Sequence, residues 1–124
     1  VHIPAGVAWT TWEASTLTLL PDLDLVSSMA EPAAATAFAR IENHYFVHNG
    51  WFEEGQLIAG VDAIRDIPCV IVQGRYDMCT PFMTAWDLHR SWPEARFVVV
   101  PDASHSATEP GIARALREAA DSFA

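Results

Sequence analysis

The sequence predicts an α/β fold, and three observations carry that prediction. Two short apolar runs rich in β-branched residues, Cys69 to Gln73 and Phe97 to Val100, show no polar alternation until their ends, as strands in a parallel sheet do. A helical pattern lies between them and another follows the second, so the order from residue 67 onward is strand, helix, strand, helix. Residues 1 to 66 differ in texture, being helical and aromatic, and the join falls at Asp66-Ile67-Pro68, where proline blocks continued helix. The division expected is therefore 1–66 and 67–124.

In chain order, Gly6 to Leu20 reads as a helix halted by Pro21-Asp22, with Trp9, Trp12, Thr16 and Leu20 recurring at helical steps as its apolar stripe. Pro21 to Ser28 reads as a loop. Pro32 suits the first turn of a second helix running to about His48, and Gly50 suits a left-handed position just past it. Trp51 to Gly55 reads as a turn, and Gln56 to Arg65 as a short helix or connector. After the strand at 69–73, Thr80 can cap and Pro81 can start a helix to about Ser91. Trp92 to Ala95 is a turn. After the strand at 97–100, Thr108 or Glu109 opens a last helix to Phe123, with Ile112, Leu116 and Ala119 or Ala120 on one face. Two parallel strands joined by a helix form a βαβ unit, expected to be right-handed.

With 124 residues, 51% of them hydrophobic, the chain is the size of one small domain. Its net charge of −9 leaves no basic face to neutralise phosphates, which argues against nucleic acid and against an anionic membrane surface. No apolar run has the length of a membrane span. Cys69 and Cys79, ten positions apart along an extended segment of roughly 30 Å, cannot bridge each other, and reduced thiols of a cytoplasmic protein are expected. The sequence starts at Val1 without Met and is expected to be cut from a longer chain.

Asp77 and His105 stand out first. Each lies in the loop after the carboxyl end of a predicted strand, where open α/β sheets place their sites. One strand–helix–strand excursion separates them, which brings the two loops together, in the order acid then histidine used by Ser-His-Asp hydrolases on such sheets. The alternative is a turn aspartate and a solvent-facing histidine. Glu13 and Glu42 come next, each set within the apolar residues of its helix: Glu13 between Trp9 and Leu17, Glu42 between Phe38 and Tyr45-Phe46. A carboxylate there is costly unless a cation pairs with it. Two of them on two helices can hold one ammonium group, or each can be bridged by an arginine. His44 and His48, at i and i+4, can face one metal ion, but no third ligand accompanies them and a packing role is expected. Arg75 is expected to be structural. No phosphate loop, dinucleotide fingerprint or C-x-x-C pair occurs.

Trp12-Glu13, then Arg40-Ile-Glu42-Asn-His-Tyr45-Phe46, then Gly74-Arg-Tyr-Asp77 and finally Ser104-His105-Ser-Ala together resemble the prolyl aminopeptidases (proline iminopeptidases), serine-type α/β-hydrolases of the cytoplasm. The Gly-Arg-Tyr-Asp and histidine loops are shared in outline by many α/β-hydrolases, whereas the Ile-Glu-Asn-His-Tyr-Phe stretch is more particular. The resemblance implies the C-terminal part of an α/β-hydrolase: a helical cap segment over 1–66 and the last two parallel strands and helices of the core over 67–124. It implies that Asp77 is the triad acid and His105 the triad base. It also implies that Glu13 and Glu42 bind the imino group of an N-terminal proline, a secondary ammonium with two N–H donors.

The substrates implied are peptides with an N-terminal proline. No metal and no organic cofactor is implied. The sequence departs from the family's pattern in one large respect. The nucleophile in Gly-x-Ser-x-Gly and the oxyanion-hole loop are absent from it, so the chain is expected to need the missing N-terminal half of the hydrolase domain and to be inactive alone. Part of another capped α/β-hydrolase (esterase-like or epoxide-hydrolase-like), or a truncated non-catalytic product, are the competing expectations.

Overall fold

The computed structural model describes residues 2–124; Val1, where the sequence begins, lies outside the described residues. Eight regular elements follow in order: α1 (His2–Ala14), α2 (Leu23–Met29), α3 (Pro32–Val47), α4 (Gln56–Ala59), β1 (Val70–Gly74), α5 (Phe82–Ser91), β2 (Arg96–Val100) and α6 (Pro110–Asp121), with short 3-10 turns at Asn49–Trp51 and Val61–Ala63. They form two compact units, one of residues 2–16 and 20–54, the other of 17–19 and 55–124. None of the described helices is long and apolar enough to cross a membrane.

In the first unit α1 packs on α3 through small residues. Gly6, Thr10 and Ala14 form the buried face of α1, and Ala35 and Ala39 that of α3. The backbones approach so closely that a Cβ on Gly6 would stand 3.0 Å from the Thr36 Cα, and the Thr10 hydroxyl donates to the Ala35 carbonyl at 3.2 Å. The expected stripe of Trp9, Trp12, Thr16 and Leu20 is therefore not the buried face; Trp12 is 65% and Leu20 76% exposed. Side-chain size pointed to the wrong helical phase because this contact selects for close backbone approach.

Helix α1 also stops at Ala14 rather than Leu20, and the expected loop at 21–28 is mostly α2. The aspartate after Pro21 explains the latter: the Asp22 carboxylate accepts from the Leu25 amide at 2.9 Å as an N-cap. Glu31 caps α3 in the same way, accepting from Ala33 and Ala34, with Pro32 opening the first turn. Past α3, Asn49, Gly50 and Trp51 all take positive φ, at 50°, 59° and 60°. The left-handed region costs a non-glycine residue about 1 kcal/mol or more, and aromatic packing offsets it, since Trp51 stacks on His48 and meets His44 and Tyr45 edge-on.

In the second unit β1 and β2 pair in parallel, in register from Val70–Arg96 to Gly74–Val100. Alternate side chains of β1 serve two small cores. Ile71, with Cys69 before it, packs against Val61, Leu88, Trp92 and Ala95 on the α5 side. Val72 packs against Val100, Ala103, Ile112 and Ala115 on the α6 side. Both strands are only partly buried along much of their length, not enclosed as the unbroken apolar runs suggest, because a two-stranded sheet covers neither outer edge. Arg65 ties the connector to the α5–β2 turn, binding Asp62, Glu94 and the Ser91 carbonyl, while the Trp92 indole donates to the Arg65 carbonyl.

Candidate active site

The sheet's carboxyl end is stitched into one rim by backbone hydrogen bonds. Just past the paired strands, the Arg75 amide donates to the Val100 carbonyl at 2.9 Å and the Tyr76 amide to the Ala103 carbonyl at 3.0 Å. The Ser104 hydroxyl donates to the Tyr76 carbonyl at 3.0 Å. A side chain at position 74 is excluded, because a Cβ there would lie 1.7 Å from the Ser104 carbonyl oxygen. Gly74 is thus the residue that lets the two loops touch.

Asp77 lies at the centre of this rim with its side chain only 6% exposed. One carboxylate oxygen accepts from the Cys79 amide at 3.0 Å and the Thr80 amide at 2.8 Å. The other accepts from the Thr80 hydroxyl at 2.9 Å and the Gln73 amide nitrogen at 3.3 Å. That same oxygen stands 3.0 Å from His105 Nδ1. Burial pushes the Asp77 carboxyl's pKa up, but the Thr80 amide and hydroxyl and the His105 ring outweigh it, and the group is held below its ordinary value. An ionised carboxylate only accepts, so the Nδ1 that faces it is the protonated nitrogen and donates to Asp77.

The histidine loop is held from two further directions. The His105 and Ser106 amides both donate to the Leu17 carbonyl, at 3.0 and 2.8 Å. Glu109 accepts from the Ser104 amide at 2.7 Å through one oxygen and from the Leu19 amide at 2.9 Å through the other. Glu109 occupies the cap position of α6 but makes no capping bond; its carboxylate reaches back to clamp the loop instead. Thr80 likewise serves Asp77 rather than capping α5, whose N-cap is Pro81. Gln73, Thr80 and Glu109 are thus site residues that sequence reasoning missed. A polar residue ending an apolar strand was the available signal for Gln73.

Arg75 sits over the Phe82 ring, 5.8 Å from its centroid, in a packing role. Neither Cys69 nor Cys79 is in a disulfide. In the first unit Glu13 and Glu42 are half-buried. Glu42 accepts from the Trp9 indole N–H at 2.5 Å, and Trp9 precedes Glu13 by one helical step on α1. The His44 and His48 rings meet edge to face at 5.0 Å and pack with Trp51; among the described residues no third ligand joins them.

This geometry coincides with a clear sequence relationship. The chain is 51% identical over 117 residues to the proline iminopeptidase of Arabidopsis thaliana, an alignment covering 94% of this chain and 31% of that protein. It is 50% identical over 123 residues to the Xylella fastidiosa proline iminopeptidase, covering 98% of this chain and 39% of the relative. The Neisseria gonorrhoeae proline iminopeptidase is 42% identical over 123 residues. This chain is a relative of the proline iminopeptidases. It spans between 31% and 39% of the length of these curated relatives, so what it matches is one part of each. No protein-family model matches it.

Proposed function

We propose that this chain supplies the acid, the base and the amine-recognition carboxylates of a serine-type proline iminopeptidase that releases proline from the N-terminus of peptides in the cytoplasm. The observation that carries this reading is the Asp77–His105 pair, 3.0 Å apart on adjoining loops of parallel strands, in a chain about half identical to two proline iminopeptidases. In the proposed reaction Asp77 fixes the His105 tautomer and stabilises the imidazolium. Nε2 takes the proton of a serine hydroxyl as that serine attacks the prolyl carbonyl, then delivers it to the leaving amine. Water repeats the cycle on the acyl-enzyme, with His105 again as base. The serine and its oxyanion hole come from sequence outside this chain, so the chain alone does not turn over.

Residues 1–66 form the cap segment in this reading and 67–124 the end of the hydrolase core, the connector packing on the core through Val61. Glu13 and Glu42 receive the two N–H donors of the prolyl ammonium. Trp9 supports the pairing, being bonded to Glu42 and one helical step from Glu13. A peptide with an acylated or internal proline carries no such cation and is refused.

The test uses a full-length enzyme carrying this segment. Glu13→Gln and Glu42→Gln are each expected to lower kcat/KM for prolyl substrates by about 100-fold, the scale of an unmatched buried charge, while cleavage of an uncharged ester is kept. Unchanged prolyl cleavage in both variants would remove the assignment.

A further inference from the structure

We propose that Asp77, Cys79 and His105 form a binding site for a zinc-like divalent cation. One donor atom from each residue, a carboxylate oxygen, a thiol sulfur and an imidazole nitrogen, lies within 4.8 Å of the other two. The inference concerns this chain's own donors and does not depend on the peptidase reading.

The local fold explains why the three converge. Asp77 folds the turn after β1 around its own carboxylate by accepting the Cys79 and Thr80 amides. That places the residue at 79 beside the carboxylate that already faces His105. Cys79 is half-buried and free of any disulfide, and the His105 side chain is 36% exposed, so an ion has a path to both.

The chemistry of the set is selective. Thiolate, imidazole and carboxylate are the donors zinc takes in tetrahedral sites, and three of them leave one position open. Calcium and magnesium prefer all-oxygen shells and have no reason to bind here. Zinc bonds of about 2.0 to 2.3 Å place tetrahedral donors about 3 to 4 Å apart, so a modest contraction of the 77–80 turn completes the site. Binding releases the thiol proton to solvent. Where Nδ1 is the nitrogen donor its proton leaves as well, and the Nδ1–H bond to Asp77 is replaced by bonds from both residues to the ion. No electron is transferred. Such an ion would take the place of the direct Asp77–His105 contact.

The experiment uses the chain as it is. Cobalt(II) is titrated in as a spectroscopic stand-in and zinc binding is measured by calorimetry. Separately, iodoacetamide alkylation of each cysteine is followed by mass spectrometry with and without zinc. A thiolate-to-cobalt charge-transfer band is expected, lost in Cys79→Ser and kept in Cys69→Ser. His105→Gln should weaken zinc binding by about tenfold or more, the loss that removal of a mere supporting partner already causes. In the unaltered chain zinc should slow alkylation of Cys79 and leave Cys69 unprotected, a readout that needs no variant to fold. Absence of the band, its survival in Cys79→Ser, equal protection of both cysteines, or loss of zinc binding only in His44→Ala or His48→Ala would overturn the proposal.

Discussion

The rim around Asp77 and the contact between α1 and α3 are held by opposite means. Around Asp77 a buried carboxylate gathers two amides, a hydroxyl, a side-chain amide and an imidazole. Between α1 and α3 the fully buried side chains are small ones, and the larger rings stay at the margin, with Trp12, Phe38 and Tyr45 exposed and Trp9 tilted against Phe46 at 6.3 Å. The first arrangement gives direction, because each hydrogen bond aims an atom. The second gives proximity, because removing side-chain volume lets two backbones approach. A site that must orient a proton needs the first; a surface that presents carboxylates and rings to a ligand can be built on the second.

The sharpest way to break this contrast is Gly74→Ala. Its Cβ would enter the Ser104 carbonyl, a backbone atom that cannot rotate away. We expect a loss of about 3 kcal/mol or more, localised to the two loops. Amide hydrogen exchange should accelerate at 75–77 and 103–106 while α1 and α3 keep their protection. Uniform acceleration across both units would mean that the rim is not independently held.

Asp77→Asn has the next largest expected effect, about 1 to 3 kcal/mol at neutral pH, the cost of leaving buried partners unmatched. Its pH dependence carries more information. In the fold Asp77 is held below its ordinary value, so its charged form contributes stability above the unfolded carboxylate pKa of about 4. That contribution is lost as pH falls through the lower folded pKa. The difference in Tm between the two proteins should therefore be full at pH 7 and shrink in acid below about pH 4. A difference that stayed constant would show that the carboxylate's charge is immaterial to the rim.

The smallest effect is expected from Trp9→Phe, which keeps the ring's bulk and removes the N–H that Glu42 accepts. About 1 kcal/mol should be lost from the helical unit, read as faster exchange in α1 and α3 with the Asp77 rim unchanged. In a full-length enzyme the same change should raise KM for prolyl substrates more than it lowers kcat if Glu42 binds the prolyl ammonium as proposed, because Trp9 touches that carboxylate.

Legibility in the sequence follows the range of the interactions involved. Both strands and the helices after them were readable from β-branched runs bounded by glycine and proline, which act on the nearest few residues. The start of α3 was readable for the same reason, from Pro32. The end of α1 was not. Residues 17–19 leave the helix and bond to the histidine loop and Glu109, partners far along the chain. The buried face of α1 was misread because hydrophobic periodicity weighs size, and here smallness decided. Helix α2 was missed because a single capping aspartate was outweighed by the proline before it.

By itself the sequence determined where strands end, and so that an acid and a histidine stand on neighbouring loops of a parallel pair; strand propensity, glycine freedom and proline's missing N–H are local properties, present before the chain folds. Only the tertiary structure decided which donors reach each oxygen of Asp77, that Glu109 clamps a loop instead of capping a helix, and that Cys79 comes within reach of both Asp77 and His105. Those outcomes depend on where distant backbone arrives, and a hydrogen bond is directional over a few tenths of an ångström, a precision that no pattern of residue types encodes.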